Sequence, residues 1–343
     1  MRASLISLVI CETASAKTGA ADPAQPPTRS APHYFEATVP AQLIVSRATV
    51  PFRGGEATLT LKTYPPDILL AEVRCDLLDA FGEEVVTLKE EAIARCYQAL
   101  RENGGKNVEQ FSEEYSFYGV AGYAGDPEQF FTRKDRIAAL LKSETLVLDQ
   151  REIEYTLASQ IKYAKNDLVI VEWDGAFLFD PDGDFESVIE LLELANLQLL
   201  RYRLLDCQLD ERLHEVARLI EQAPVKTRFF FRAAEVSQAL RQVMLVRSTS
   251  IADFQAIERE IKLIGDWYWA RLYELVARKF KLDEWRRVLK EKLEAIEDVY
   301  GIASENFTVS WERRGHIIEM IGWYVLLIGW GILLGLDVYF SRR

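Results

Sequence analysis

The chain has 343 residues, with 53 acidic and 41 basic side chains and a formal net charge of −12. This acidic balance argues against a nucleic-acid partner bound over a large surface, because phosphate contacts need clustered Lys and Arg. There are three histidines and no CxxC pair among Cys11, Cys75, Cys96 and Cys207, so we expect neither a metal site nor a redox motif, and no cofactor.

Residues 1–33 are predicted to form a disordered tail. From Thr13 to Pro32, 16 of 20 residues are Ala, Pro, Thr, Ser or Gly, and such a composition buries too little apolar surface to offset the entropy of ordering. Two alternatives stay open. The apolar stretch from Leu5 to Cys11 resembles a short secretory signal, although Glu12 interrupts it, and an organellar transit peptide is a further interpretation.

Residues 34–182 are predicted to form a compact head domain of strands and helices. Residues 57–64 alternate apolar and polar side chains, as a half-buried strand does. Thr87 and Glu90 match a capping box, which predicts a helix that continues to Gly104-Gly105.

The second half of the head domain is also predicted to contain both element types. Residues 115–120 form an aromatic strand, and Asp126-Pro127 begins a helix to about residue 143. The alternation over 153–163 predicts a strand. LVIVEW and AFLFD, joined by Asp174-Gly175, predict an antiparallel hairpin. This order of elements indicates an α+β sheet with helices on one face.

No catalytic constellation is visible in the sequence. The acidic turn Asp180 to Asp184 lacks the ligand spacing of an EF-hand, and Gly104-Gly105-Lys106 lacks the rest of a P-loop. We interpret the first as a turn before a helix that Asp184 caps, and the abundant carboxylates as solvated faces.

Residues 184–310 are predicted to form long antiparallel helices with coiled-coil spacing. From Phe185 to Ile220, apolar side chains recur at alternating steps of three and four, which predicts a helix of roughly 35 residues. Later stretches to Phe307 repeat the pattern. Because each helix is apolar on one seam, it must pack against another helix of the chain or another subunit.

Residues 320–336 contain no charged side chain, and we expect a transmembrane helix over 317–340. At 1.5 Å per residue the 17 uncharged residues span about 25 Å, and the flanking residues lengthen the helix enough to cover a hydrocarbon core of roughly 30 Å. Glu319 and Asp337 would then lie near the two interfaces. A buried core helix is the alternative.

This helix also carries the predicted contact residues. Gly331 and Gly335 form a GxxxG pattern that permits close helix contact, and we assign membrane or oligomer contacts to them and to Trp323 and Trp330. The expected location is a membrane with one C-terminal span and the main domain in the cytoplasm or an organelle matrix. The expected partners are the lipid bilayer, further copies of the chain and an unidentified protein.

The order of these elements, ending in LKEKLEAIEDVYGIASENFTVSWERRGHIIEMIGWYVLLIGW, resembles the "required for meiotic nuclear division" family, best over residues 289–336. In that family a domain of unknown function precedes a coiled-coil helix that leads into a C-terminal transmembrane segment. The resemblance implies membrane anchoring and organisation, linked to translation in mitochondria, and supplies no catalytic residues.

Three functions compete at this stage. The leading hypothesis is a non-enzymatic, membrane-anchored scaffold that oligomerises through its helices. An ion channel or transporter of the CorA type would need a second span and a Gly-Met-Asn motif, and the sequence contains neither. An enzyme with a pocket in residues 34–182 would need a cluster of titratable groups with perturbed pKa values in a cleft. No sequence motif indicates such a cluster.

Overall fold

The computed structural model describes residues 1–14, 22–23, 42–53, 55–65, 67–221 and 267–341, with short helical pieces between 241 and 255. For positions 22–23, 215–217, 219–221, 299–318 and 333–341 it describes the backbone alone. The chain divides into two compact units. The first contains Met1–Cys207 and Asp253–Leu289, and the second contains Gln208–Ala252 and Lys290–Arg343.

One mixed sheet of ten strands forms the centre of the first unit. The strands are β1 (Arg2–Thr13), β2 (Asp22–Pro23), β3 (Leu43–Phe52), β4 (Gly55–Tyr64), β5 (Ile68–Leu77), β6 (Gly105–Lys106), β7 (Ser112–Ala121), β8 (Gln160–Ile161), β9 (Leu168–Val171) and β10 (Gly175–Phe179). Their order is β2-β3-β4-β5-β1-β7-β10-β9-β8, and β6 pairs with β1. Neighbours are antiparallel except β7 and β10, which are parallel.

β1 lies at the centre of this sheet, between β5 and β7. Its residues Leu8, Val9 and Ile10 are fully buried. The prediction of a disordered tail over 1–33 is therefore wrong for β1, while most of residues 15–33 lie outside the described part of the chain. A strand that is buried on both faces has a nearly continuous apolar sequence, which is why β1 resembled a secretory signal.

Helices cover both faces of the sheet. They are α1 (Glu84–Glu102), α2 (Lys134–Leu141), α3 (Gln150–Leu157), α4 (Glu186–Glu221), α5 (Trp267–Lys279) and α6 (Leu282–Ser341), with a 3-10 helix at Pro127–Arg133. On one face, the Tyr118 hydroxyl donates to the carbonyl of Leu140 in α2 at 3.0 Å. On the other, Lys62 of β4 bonds to Glu193 of α4. Helices on one face alone, as predicted, would leave the second face of β1 uncovered.

Several local predictions are confirmed. The predicted strands 57–64 and 115–120 lie within β4 and β7. Asp126 caps the 3-10 helix by accepting a bond from the amide of Glu128 at 3.0 Å. β9 and β10 form the predicted antiparallel hairpin. α4 has 36 residues, close to the length that the heptad spacing predicts.

The predicted strand over 153–163 is wrong for its first part, because α3 covers 153–157, and strand pairing within this range is confined to β8. Asp149 begins this helix by accepting a bond from the amide of Arg151 at 3.0 Å. Ile153 and Leu157, four residues apart, are buried on one helical face, whereas Tyr155 is 64% exposed. Residues four apart lie on the same face of a strand and also on the same face of a helix. The apolar pattern alone therefore does not distinguish the two elements here.

α6 is one helix of 60 residues that continues through the uncharged run 320–336. Among the residues that the structure describes, no helix has a stretch both long and apolar enough to cross a membrane. The predicted fold class, an α+β head with a coiled-coil region and a transmembrane helix over 317–340, is therefore wrong, as is the single-pass anchor. Seventeen residues rise about 25 Å, short of a roughly 30 Å core, and four of them are glycines.

Candidate functional site

A pocket of about 210 Å³ lies in the first unit, beside the β9–β10 hairpin. The residues that follow β10 and the first turns of α4 and α5 complete its wall. The lining is acidic, aromatic and aliphatic, and consists of Tyr163, Asp167, Val169, Leu178, Phe179, Asp180, Asp184, Phe185, Val188, Tyr268 and Trp269. We call this set the acidic–aromatic pocket.

Backbone hydrogen bonds fix two of its three carboxylates. Oδ1 of Asp167 accepts bonds from the amides of Tyr163 at 2.8 Å and Ala164 at 3.0 Å. Oδ1 of Asp180 accepts a bond from the amide of Gly183 at 2.8 Å, and Gly183 has the positive φ of 81° that this turn requires. Within the described part of the chain, no hydrogen bond engages Oδ2 of either residue. These oxygens are therefore positioned acceptors.

Three aromatic rings stand at steep angles to one another along the wall. The ring centroids of Tyr163 and Tyr268 lie 4.9 Å apart at 62°, and those of Tyr268 and Trp269 lie 5.2 Å apart at 72°. Burial raises the pKa of the Tyr268 hydroxyl, and the negative charges of Asp167 and Asp180 raise it further. The field in the pocket is therefore negative.

The charged and aromatic lining of the pocket has negative electrostatic potential. Carboxylates and the faces of aromatic rings both carry negative potential. Among the described residues, no three His, Cys, Asp or Glu side chains lie close enough to hold a metal ion. The pocket lining also contains no Ser, Cys, His or Lys that would serve as nucleophile or base.

A second group of charged residues lies buried where α4 crosses β4 and β5. Nζ of Lys62 donates to Oε2 of Glu72 and to Oε1 of Glu193, each at 2.9 Å. The Tyr64 hydroxyl donates to Oε2 of Glu193 at 2.8 Å. We call these four residues the buried ion cluster. The charged or hydroxyl group of each of the four residues has a partner within the cluster. We therefore interpret the cluster as a structural connection between α4 and the sheet.

The two carboxylates of the buried ion cluster differ in proton affinity. Burial raises the pKa of Glu193, and the neighbouring charge of Glu72 adds to this effect. Burial also disfavours the Glu72 carboxylate, but the charges of Lys62 and Arg74 outweigh it and hold its pKa below the usual value. Two carboxylates share one lysine, and Glu72 is the one that remains ionised most readily.

The three buried cysteines, Cys11, Cys75 and Cys96, offer no reactive thiolate. Burial raises the pKa of the Cys11 thiol to about 12 and that of Cys75 to about 11, and it also raises the pKa of Cys96. A thiolate is the nucleophilic form of cysteine. These three side chains therefore act as small apolar core residues.

Three of the four predicted contact residues lie on an apolar segment of α6, residues 320–332. Trp323 and Trp330 are seven residues apart on one face and about two-thirds exposed. A Cβ at Gly331 would meet no atom within 4 Å. Gly335 belongs to the same helix, beyond the side chains that the structure describes. Of the predicted positions, Trp323, Trp330 and Gly331 are therefore open in the described part of the helix.

Comparison with known proteins places the chain in a family. The model of the "Uncharacterized protein MJ0711, N-terminal domain" family matches residues 4–186, more than half of the chain. The chain belongs to this family. It is also similar over 303 residues, at 28% identity and 88% of each chain, to "Uncharacterized protein MJ0711" of Methanocaldococcus jannaschii. No solved structure matches it.

Membership of the MJ0711 family corrects the resemblance to the "required for meiotic nuclear division" family, which nothing in these comparisons supports. That resemblance depended on the order of elements and on the apolar C-terminal run, and neither identifies a family. The match covers the sheet from the third residue of β1 onward and the pocket residues up to Phe185, while Val188, Tyr268 and Trp269 lie beyond it.

Sequence reasoning missed the pocket and the buried ion cluster. The turn at Asp180 was predicted, and its amide bonds confirm it, but nothing local linked it to Tyr268, some ninety residues later. One signal was available: Trp267-Tyr268-Trp269 presents aromatic rings on more than one helix face. Such a cluster indicates that at least one ring contacts a part of the chain other than the one that packs on the main apolar face of the helix.

Proposed function

We propose that this chain is a non-enzymatic scaffold protein whose copies associate through the apolar segment of α6. One observation supports this proposal above others. From Met320 to Ile332, ten large apolar side chains are each more than half exposed. The consecutive residues Trp323 to Ile328 share this exposure, so every face of the helix is open.

The area of the apolar segment suits a stable interface. Its ten large apolar side chains, three of them aromatic, are each about 60% exposed, and together they present on the order of several hundred Å² per copy. A standard protein interface buries about 800 Å² per partner. Monomeric proteins rarely expose an apolar patch beyond a few hundred Å², so this segment is expected to be covered.

A second copy of the chain is the occupant that fits best. The segment has no charge to pair, and a partner with charged groups would lose their hydration without compensation. A Cβ at Gly322 or Gly329, seven residues apart on one face, would meet no atom within 4 Å. An identical helix can approach closely at such positions and offer the same large side chains in return, as a two-fold interface requires.

Sedimentation velocity of the full chain and the Leu326→Glu variant tests this proposal. We expect the parent chain to be a dimer or larger, and the variant to dissociate at least about tenfold more readily, because a buried, unpaired carboxylate is costly. Leu78→Glu is the matched control, since Leu78 is 96% exposed in the first unit. It is expected to leave the association unchanged.

Two results would overturn self-association. One is a parent chain that sediments as a monomer across the accessible concentrations. The other is co-sedimentation with lipid vesicles that Leu326→Glu abolishes while the chain remains monomeric without lipid. Gly331→Leu adds a second probe, because it fills the open position beside Trp330 and is expected to weaken association without adding charge.

A further inference from the structure

We propose that the acidic–aromatic pocket binds an alkylated ammonium group. Three carboxylates, Asp167, Asp180 and Asp184, and the angled rings of Tyr163, Tyr268 and Trp269 surround one cavity. This inference does not depend on the proposed scaffold function, because it concerns a different surface and a different class of ligand.

The charge of the pocket selects a cation. Three of its eleven lining residues are aspartates, and none is Lys, Arg or His. The nearby Lys162 is engaged elsewhere, at 2.7 Å from Asp126 and 3.1 Å from Glu128. An anion in this cavity would face uncompensated negative charge, whereas a cation would gain attraction from each carboxylate.

The size and walls of the pocket select an organic cation over a metal ion. Its 210 Å³ equals the volume of about seven water molecules at ~30 Å³ each, which suits a centre that carries several methyl groups. Among the described residues, no three carboxylates lie close enough together to bind one metal ion. Tyr163, Tyr268 and Trp269 contact one another edge to face and line the same cavity as the carboxylates, and aromatic rings attract organic cations.

Two sources could supply this group, a free small cation such as a choline derivative or the side chain of a methylated lysine in another protein. The recognition chemistry is the same for both. Tyr163 is 67% exposed, whereas Tyr268 and Trp269 are buried. The acidic–aromatic pocket is therefore open to solvent beside Tyr163 and closed beside Tyr268 and Trp269. Either ligand would enter past Tyr163.

Calorimetric titration of the full chain tests the proposal with three probes. They are choline, the neutral carbon analogue of choline, and a peptide that carries one trimethyllysine. We expect choline to bind at millimolar or lower concentrations and the neutral analogue to bind at least about tenfold more weakly. Tighter binding of the peptide than of choline would identify the methylated lysine as the source, and equal or weaker binding would identify the free cation.

Matched variants locate the binding in this pocket. Asp184→Asn is expected to weaken choline binding at least about fivefold, while Asp182→Asn, in the same turn but outside the lining, is expected to leave it unchanged. Tyr163→Ala should weaken binding about threefold, whereas Tyr155→Ala, at an equally exposed tyrosine outside the lining, should not. Because Tyr163 is exposed, its loss does not endanger folding.

The proposal fails under either of two results. The first is no detectable binding of choline or peptide at millimolar concentrations to a chain with an intact thermal transition. The second is binding of the neutral analogue as tight as that of choline, which would make the pocket a site for apolar groups of that size.

Discussion

The Tyr64 hydroxyl donates a hydrogen bond of 2.8 Å to Oε2 of Glu193, and this bond joins β4 to α4. The other oxygen of Glu193 accepts from Lys62, also of β4, at 2.9 Å. Both oxygens of one fully buried carboxylate therefore bind to the same strand. Since α4 begins beside the acidic–aromatic pocket, this connection also helps to fix one wall of the pocket.

Removing the shared lysine should be strongly destabilising. Lys62→Met leaves Glu72 and Glu193 buried without their cation, and the loss of one partner from a buried ion pair costs about 3–5 kcal/mol of unfolding free energy. Urea unfolding of the full chain measures it. Lys162→Met is the matched control, because Lys162 also bridges two carboxylates but at an exposed site. Equal losses from both variants would contradict the role assigned to burial.

The pH dependence of stability should carry a contribution from Glu190. Burial raises the pKa of its carboxyl from 4.5 to about 7, and the charge of Glu193 acts in the same direction. The folded state therefore binds a proton that the unfolded state releases between these values, so the stabilising contribution of Glu190 is fully present below about 4.5 and is lost as the pH rises through about 7.

Glu190→Gln removes this contribution. The variant should lose less stability than the parent chain between the pH values of 4.5 and about 7 and should be the more stable of the two above that range. Urea midpoints across the range compare the two proteins. Parallel pH profiles would show that Glu190 does not titrate as its surroundings indicate.

Individual strands of the sheet could be predicted where the sequence has an unambiguous alternation of apolar and polar residues or a clear turn. β4 alternates with a period of two, and Asp174-Gly175 marks the hairpin. β1 lacks such alternation because both of its faces are buried. α3 was misassigned because Ile153 and Leu157 fit two periods at once.

Long-range relationships left no local trace in the sequence. Lys62 and Glu193 are separated by 131 residues, and each taken alone resembles one more solvated charge. The same holds for Asp180 and Tyr268, which meet only because α5 packs near β9 and β10. The exposed residues Trp323 and Trp330 were recognised from composition, since a run without charges is visible in the sequence alone.

The parallel pairing of β7 and β10 should depend on Gly175. A Cβ at this position would lie 2.7 Å from the backbone carbonyl oxygen of Ser116, which cannot move without displacing β7. Gly175→Ala is therefore expected to cost about 1–3 kcal/mol of unfolding free energy. Gly55→Ala is the control, because the nearest atom to its Cβ is at an ordinary 3.6 Å. A Gly175→Ala protein as stable as this control would refute the close approach.

Thiol labelling should separate Cys207 from the other cysteines. Cys207 is half-buried, whereas Cys11, Cys75 and Cys96 are buried and their raised pKa values keep them protonated near neutral pH. In the native chain an aromatic disulfide reagent should modify Cys207 first, and the remaining thiols should react only as fast as the sheet opens. Cys207→Ser should remove the fast phase and leave the slow one. A fast phase that survives this substitution would mean that a core thiol is accessible, and that β1, β5 or α1 opens far more readily than its burial implies.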